Sequence, residues 1–179
     1  MCFNAEQSGL LFDVRRSARY HDRRMAFYER LEKVTNALTI MTAGAALSEA
    51  SGNEIAHWLT TLAAITAIAA TADLVTGFGR MADLHRNLKR RFGILEGRMV
   101  KAFPKETNLT EFQVERLDIE LEEPPVYRVL DSLCRNEVLL AQDYTLDKDA
   151  HLFVRVSWWQ RLTAQLCHWS DHLAVSKPK

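Results

Sequence analysis

The chain has 179 residues, with 23 Lys/Arg against 23 Asp/Glu and a formal net charge of zero. That length allows one soluble domain or a small hairpin with an appended region, and the charge balance excludes the overall basic character of a nucleic-acid binder. The three cysteines, Cys2, Cys134 and Cys167, are too few and too widely spaced for a disulfide framework, so a reducing cytoplasm is the expected setting.

The N-terminal stretch MCFNAEQSGLLFDVRR lacks a basic leader followed by a long apolar run, and it reads as neither a secretory signal nor a lipoprotein leader. Residues 13–33 then carry seven Lys/Arg against four acids. Leu11, Val14, Ala18, Met25, Tyr28 and Leu31 form a loose apolar stripe at helical spacing through this basic stretch.

Two apolar segments follow. The first is Val34–Leu47, the link is Ser48–Glu54, and the second is Ile55–Ala72, fading through Asp73 to Phe78. A spanning helix needs about 17–25 mostly apolar residues. The second segment has 18 uncharged residues before Asp73. The first reaches adequate length only from Lys33 to Ala50, with the lysine snorkelling to the surface. The expected spans are therefore about 34–50 and 55–78. Gly44 with Ala43, Ala45 and Ala46 would face Ala63, Ala67 and Ala70, small residues that let two backbones approach. The competing arrangement is a soluble helical pair buried in an all-α domain.

Orientation follows from charge. Both outer flanks are rich in Lys and Arg, while the link has Glu49 and Glu54 and neither base, which places both termini in the cytoplasm. Trp58 is the expected aromatic anchor at the outer end, with His57 interfacial beside it. Thr66 and Asp73 share a helical face and are candidate polar positions for a pore stripe or a helix-pair contact. Asp73 lies about 27 Å along the helix from Ile55, near the inner headgroups, where a bland interfacial role competes.

Residues 79–101 again carry seven Lys/Arg, against two acids. Leu84, Leu88, Phe92, Leu95 and Met99 recur at spacings of three and four. The two basic helices can thus zip into a stalk, with Arg15, Arg16, Arg23, Arg24, Arg86, Lys89, Arg90 and Arg91 as candidate contacts to lipid headgroups. Nucleic acid is the weaker use of this charge, because Phe92 fits the core stripe.

After a break at Ala102–Thr107, Asn108 and Glu111 stand at capping-box spacing before a helix to about Glu122, which Pro124 and Pro125 end. A further helix is expected over about Val126–Gln142, and Leu152–Val156 is a short stretch of open assignment. Ser157 and Gln160 repeat the capping spacing before a last helix over WWQRLTAQLCHWSDHL. Its aromatic residues Trp158, Trp159 and Trp169 either lie in the membrane interface or pack on the stalk. Residues 106–123 hold seven acids and only Arg116. Asp118, Glu120, Glu122 and Glu123 there read as a solvated face or as partners of the basic stalk.

No nucleophile constellation, phosphate-cradling loop or zinc-finger spacing appears, and Cys167, His168, Asp171 and His172 make a weak metal set because Cys167 points away from the two histidines. Neither an enzyme, a metal nor a cofactor is expected. Cys134 reads as a small core hydrophobe.

The run SARYHDRRMAFYERLEKV, the two apolar segments and GFGRMADLHRNLKRRFGILEGRM resemble the SLATT-type two-transmembrane proteins of bacteria, whose signature of Ala and His, then Leu and Phe, corresponds here to Ala82, His85, Leu88, Phe92 and Leu95. LDIELEEPPVYRVLDSLCRNEV and VSWWQRLTAQL look like segments of uncharacterised mobile-element and prophage proteins. The resemblance covers roughly residues 13–169. It implies an inner-membrane protein of the pore-forming or membrane-disrupting kind, and it makes His85 a family-like stalk position. A nucleotide sensor of the sort usually coupled to such proteins is not evident in this chain.

The expected fold is therefore all-α: a long antiparallel helical hairpin over residues 1–101, with two membrane spans continued as a cytoplasmic stalk, and a smaller helical region over 102–179. The expected partners are the lipid bilayer, further copies of the chain, since one hairpin cannot enclose a pore, and a protein bound by the C-terminal region. The alternatives are a membrane-anchored adaptor and a soluble all-α interaction protein.

Overall fold

A computed structural model describes residues 4–50, 56–103 and 109–169. All regular structure among them is helical. The elements are α1 (Ala5–Ala50), α2 (Ala56–Thr76), α3 (Phe78–Ala102), α4 (Leu109–Glu120), α5 (Arg128–Ala141), a 3₁₀ turn (Ala150–Leu152) and α6 (Trp158–Thr163). The Ser51–Glu54 part of the link, Ile55 at the start of the second segment, the break at Pro104, the Asn108 cap, Asp171 and His172 lie outside the described residues, as do the side chains of Glu49 and His57.

The chain forms two compact units that are not consecutive in sequence: Arg24–His85 is one, and the residues before and after it form the other. In the larger unit the core follows the 3-and-4 spacing. Leu88, Phe92, Leu95 and Met99 of α3 are wholly buried, with Leu11 and Val14 of α1. Tyr20 of α1 joins Val129, Leu130, Leu133 and Cys134 of α5 and Ala164 just past α6 in one cluster. The Tyr20 hydroxyl also accepts the Tyr127 N–H at 3.0 Å, satisfying a backbone donor at the start of α5. Phe103 meets Phe112 edge to face and ties α4 to the end of α3.

Local sequence explains the ends of the elements. Pro124 and Pro125 cannot donate backbone hydrogen bonds, so α4 stops before them. The uncertain stretch at Leu152–Val156 forms no strand. Instead, Asn136 donates to the Val154 carbonyl at 2.8 Å and accepts the Val154 N–H at 3.0 Å, so one amide side chain does the work of a neighbouring strand. The Ser157–Gln160 capping box is fully formed at the start of α6. The last helix is much shorter than its sequence allows. It ends at Thr163, where the Trp169 indole turns back to donate to the Thr163 hydroxyl at 3.0 Å.

In the smaller unit α1 continues through to Ala50 without a break, whereas α2 and α3 are separate helices. Gly77 has φ +67°, which glycine adopts without strain, and it interrupts the path between them. Gly79 permits a second close approach: a Cβ there would stand 2.9 Å from Glu32 Oε1.

Candidate membrane-contacting surfaces

The stretch Trp58–Thr76 is long and apolar enough to cross a membrane, and no residue in it is buried within the protein. Ile68 is 72 % exposed and Leu74 86 %. A core helix of a soluble domain would have its large side chains buried, whereas here Leu59, Leu62, Thr66 and Ala69 are half-covered and the rest of the apolar surface is open. Among the described residues it is the one stretch that meets the length and apolarity needed. The expected first span falls short for a physical reason. Its apolar run Val34–Leu47 is 14 residues, about 21 Å at helical rise against a hydrocarbon core of about 30 Å, and Thr35, Asn36, Thr39 and Thr42 dilute it. Val34, Ile40, Met41 and Leu47 nevertheless share the exposure seen on α2.

Thr66 is where α2 meets α1: its hydroxyl lies 2.7 Å from that of Thr42. Each hydroxyl also reaches its own helix, Thr42 to the Leu38 carbonyl and Thr66 to the Leu62 carbonyl, both at 2.9 Å. One hydroxyl can therefore donate across the pair while the other donates back to its own helix, leaving no polar group unsatisfied between two apolar surfaces.

Asp73 does something the sequence reading did not anticipate. Its Oδ1 accepts the Phe78 N–H at 2.8 Å, and its carbonyl accepts the Gly77 N–H at 2.6 Å. The carboxylate thus caps the first turn of α3, where the helix dipole favours negative charge. Asp73→Ala is expected to cost about 0.5–2 kcal/mol in a thermal melt, and Asp73→Asn, which keeps the acceptor, a fraction of that. Equal losses for the two variants would show that charge, and not capping, matters there.

His85 is fully buried in the same unit, and its ring stacks on Tyr28 at 5.8 Å and 11°. The Arg24 guanidinium covers the Tyr28 ring, 4.7 Å from the centroid. Phe78, Ala82 and Tyr28 form the cluster around this stack, with Phe27, Leu31 and Met81 packed against it. Arg24 is buried and bonded to the Tyr28 hydroxyl, so its place is in this stack and not at a headgroup.

Most of the other basic residues assigned to lipid contact meet carboxylates within the larger unit. Arg15 pairs with Glu96 at 2.7 Å, Arg16 with Asp131 at 3.2 Å, Lys89 with Asp22 at 2.6 Å and Arg91 with Glu122 at 2.6 Å. Arg23 pairs with Glu137. Arg90 is exposed, bonded at 3.3 Å to Asn87, and Arg86 is exposed as well. The acids of 106–123 act largely as partners: Glu120 binds Arg116, which also reaches Asp13 at 2.8 Å. Burial raises the Asp131 carboxyl above its ordinary range, with Arg16 opposing it.

His21 is the residue that sequence reasoning missed. It is fully buried, its Nε2 lies 3.0 Å from Glu123 Oε1, and its ring stacks on Phe92 at 5.5 Å and 12°. The signal was present: the apolar stripe of α1 skips from Ala18 to Met25, and His21 fills that missing place.

Trp58 is exposed near the start of α2, and Trp158 and Trp159 are exposed on α6, stacked at 3.9 Å. Trp169 is half-buried against the α5 cluster, so it is a packing residue and not an interfacial one. Cys167 and His168 are both exposed, and His168 meets the Tyr127 ring edge on. Cys134 is fully buried, and burial pushes its thiol up to about 12. A thiolate-directed maleimide at neutral pH is therefore expected to label Cys167 in the folded protein and Cys134 only after unfolding, read by peptide mass.

Compared with protein families, characterised proteins and solved structures, the chain matches none.

Proposed function

We propose that the chain is a small bacterial inner-membrane protein of the SLATT type. In this reading α2 and the Val34–Ala50 part of α1 form a two-span hairpin, with both termini cytoplasmic. It acts without catalysis, by associating with further copies to perturb the bilayer. The observation that carries this reading is the apolar surface of α2, of which no residue from Trp58 to Thr76 is buried among the described residues. The Thr42–Thr66 contact supports it, since a satisfied polar pair between small-residue helices suits a lipid setting. One hairpin cannot enclose water, so leakage requires several copies. The test is overexpression in a bacterial host with carbonate-washed fractionation and a potential-sensitive dye. Recovery in the washed membrane with loss of potential is the expected result. Recovery in the supernatant sinks the membrane assignment, and an inert membrane-bound protein sinks the effector.

A second reading, a membrane-anchored adaptor, is favoured by the larger unit, which has its own core and a lattice of ion pairs. It predicts a bound protein partner and an undisturbed potential.

A further inference from the structure

The C-terminal end of the larger unit carries an apolar face of a different character from α2. The inner side of α6 is pinned: Gln160 and Ala164 are buried, and Val156 and Trp169 pack on the α5 cluster. The outer side presents Trp158 and Trp159, 63 % and 59 % exposed, with Leu162 and Leu166 one and two turns on. The two indoles stack into one aromatic slab. Four large apolar side chains on one short surface are unusual in a protein facing water alone.

The surrounding charge identifies what covers them. Residues 150–169 contain Arg155, Arg161, His151 and His168 and no acid, in a chain whose acids and bases are equal in number. Arg155 and Arg161 are exposed and make no ion pair among the described residues. The contrast is α4 and the turn after it, where the exposed Val114, Leu117 and Leu121 stand among Glu111, Glu115, Asp118 and Glu122. Aromatic residues with an apolar body and a polar edge, flanked by exposed arginines that make no ion pair among the described residues, suit the headgroup layer of an anionic bilayer.

We propose that the outer face of α6 and the turn after it, formed by Trp158, Trp159, Leu162 and Leu166 with Arg155 and Arg161 close to them in sequence, is a lipid-binding surface that seats in the headgroup layer of an anionic membrane. It goes beyond the hairpin reading and does not depend on it, because it stands on the exposure and charge of residues 150–169 alone.

The test uses the full chain carrying Trp58→Phe and Trp169→Phe, which leaves the two α6 indoles as the only tryptophans. The protein is mixed with vesicles of phosphatidylcholine, or of phosphatidylcholine with phosphatidylglycerol. Emission is then read with acyl-brominated lipid and with aqueous iodide as quenchers. With anionic vesicles the expected result is a blue shift, loss of most of the emission to brominated lipid and little loss to iodide. Arg155→Gln or Arg161→Gln should each weaken the response to anionic vesicles about fivefold. Unshifted emission that iodide still quenches overturns the proposal. Shielding that grows with protein concentration in the absence of lipid assigns the face to a second copy and overturns it as well. Should Trp169→Phe loosen the α5 cluster, the same readout on Trp58→Phe alone, compared with Trp58→Phe/Trp158→Phe/Trp159→Phe, isolates the α6 signal. The two readings fail separately. A chain found in the supernatant whose indoles are quenched by added anionic vesicles loses the hairpin and keeps this surface. A chain in the washed membrane with iodide-accessible indoles does the reverse.

Discussion

Ile65→Arg combined with Ile68→Arg is expected to remove the protein from a carbonate-washed membrane fraction that retains the native chain. Both positions lie in the middle of Trp58–Thr76, and both side chains are exposed, Ile65 by 49 %. Neither substitution therefore opens a cavity or buries a charge against protein, and in water the pair would be close to neutral for folding. In a bilayer the same change replaces two favourable insertions with two unfavourable ones. Each arginine at a span centre costs about 2.5–3.5 kcal/mol, and each lost isoleucine removes roughly 0.5 kcal/mol more, so the pair costs about 6–8 kcal/mol. That is enough to abolish insertion of a helix built largely of Ala and Thr. Thr60→Arg is the comparison, since an arginine near the end of the stretch can snorkel and should be tolerated. Unchanged recovery of the double variant in the membrane would show that α2 does not enter lipid. Higher solubility of both variants with no change of fraction would return α2 to the surface of a soluble protein.

What the sequence made legible and what it hid divide along a physical line. Patterns set by neighbours a few residues away were readable. Leu88, Phe92, Leu95 and Met99 recur at helical spacing, and all four are buried. Ser157 and Gln160 stand at capping-box spacing, and both bonds of the box form. Pro124 and Pro125 mark a helix end because the ring removes a donor wherever it sits. The features that escaped depend on residues distant in sequence. His21 and Glu123 are 102 positions apart, and nothing near either residue announces the other. Arg15, Arg16 and Arg23 of one basic run and Lys89 of the other look alike in sequence, yet each meets a different carboxylate across the unit. The charge segregation pointed to lipid headgroups, whereas acids of α1, α3, α5 and the α4–α5 connection supply much of the complement from within. The capping bond of Asp73 escaped for a related reason. Its place in an apolar run drew attention to the bilayer, while its capping bond depends on Gly77 turning the chain so that the Phe78 N–H faces it. The extent of α6 was overestimated because helical spacing continues past Thr163, while in the fold the helix ends there and the Trp169 indole bonds back to the Thr163 hydroxyl.

Phe92→Ala is expected to be the most damaging single truncation in the larger unit, at about 3–5 kcal/mol, with a fall in melting temperature on the order of 10–20 °C. Phe92 is wholly buried at the centre of the Leu88–Met99 stripe, and its ring is one wall of the site that holds His21. Truncation removes the transfer energy of a phenyl group and leaves a cavity that the rigid α3 backbone cannot close. It also removes the stacked face from a histidine whose Nε2 is held by Glu123, so the loss reaches the α4–α5 connection as well. Ile94→Ala, two residues along on the same helix but exposed, should change stability by less than about 0.5 kcal/mol. Glu123→Ala separates packing from polar tethering. Alone it takes from a buried imidazole its carboxylate partner, which costs about 1–3 kcal/mol. Combined with Phe92→Ala it should cost less than the sum of the two, because once the ring is gone His21 can relax toward water and depends less on the carboxylate. A melt of the four proteins in one detergent gives this coupling directly. Strict additivity would mean that Phe92 and Glu123 hold the unit independently and that His21 is not the link between α3 and the α4–α5 connection.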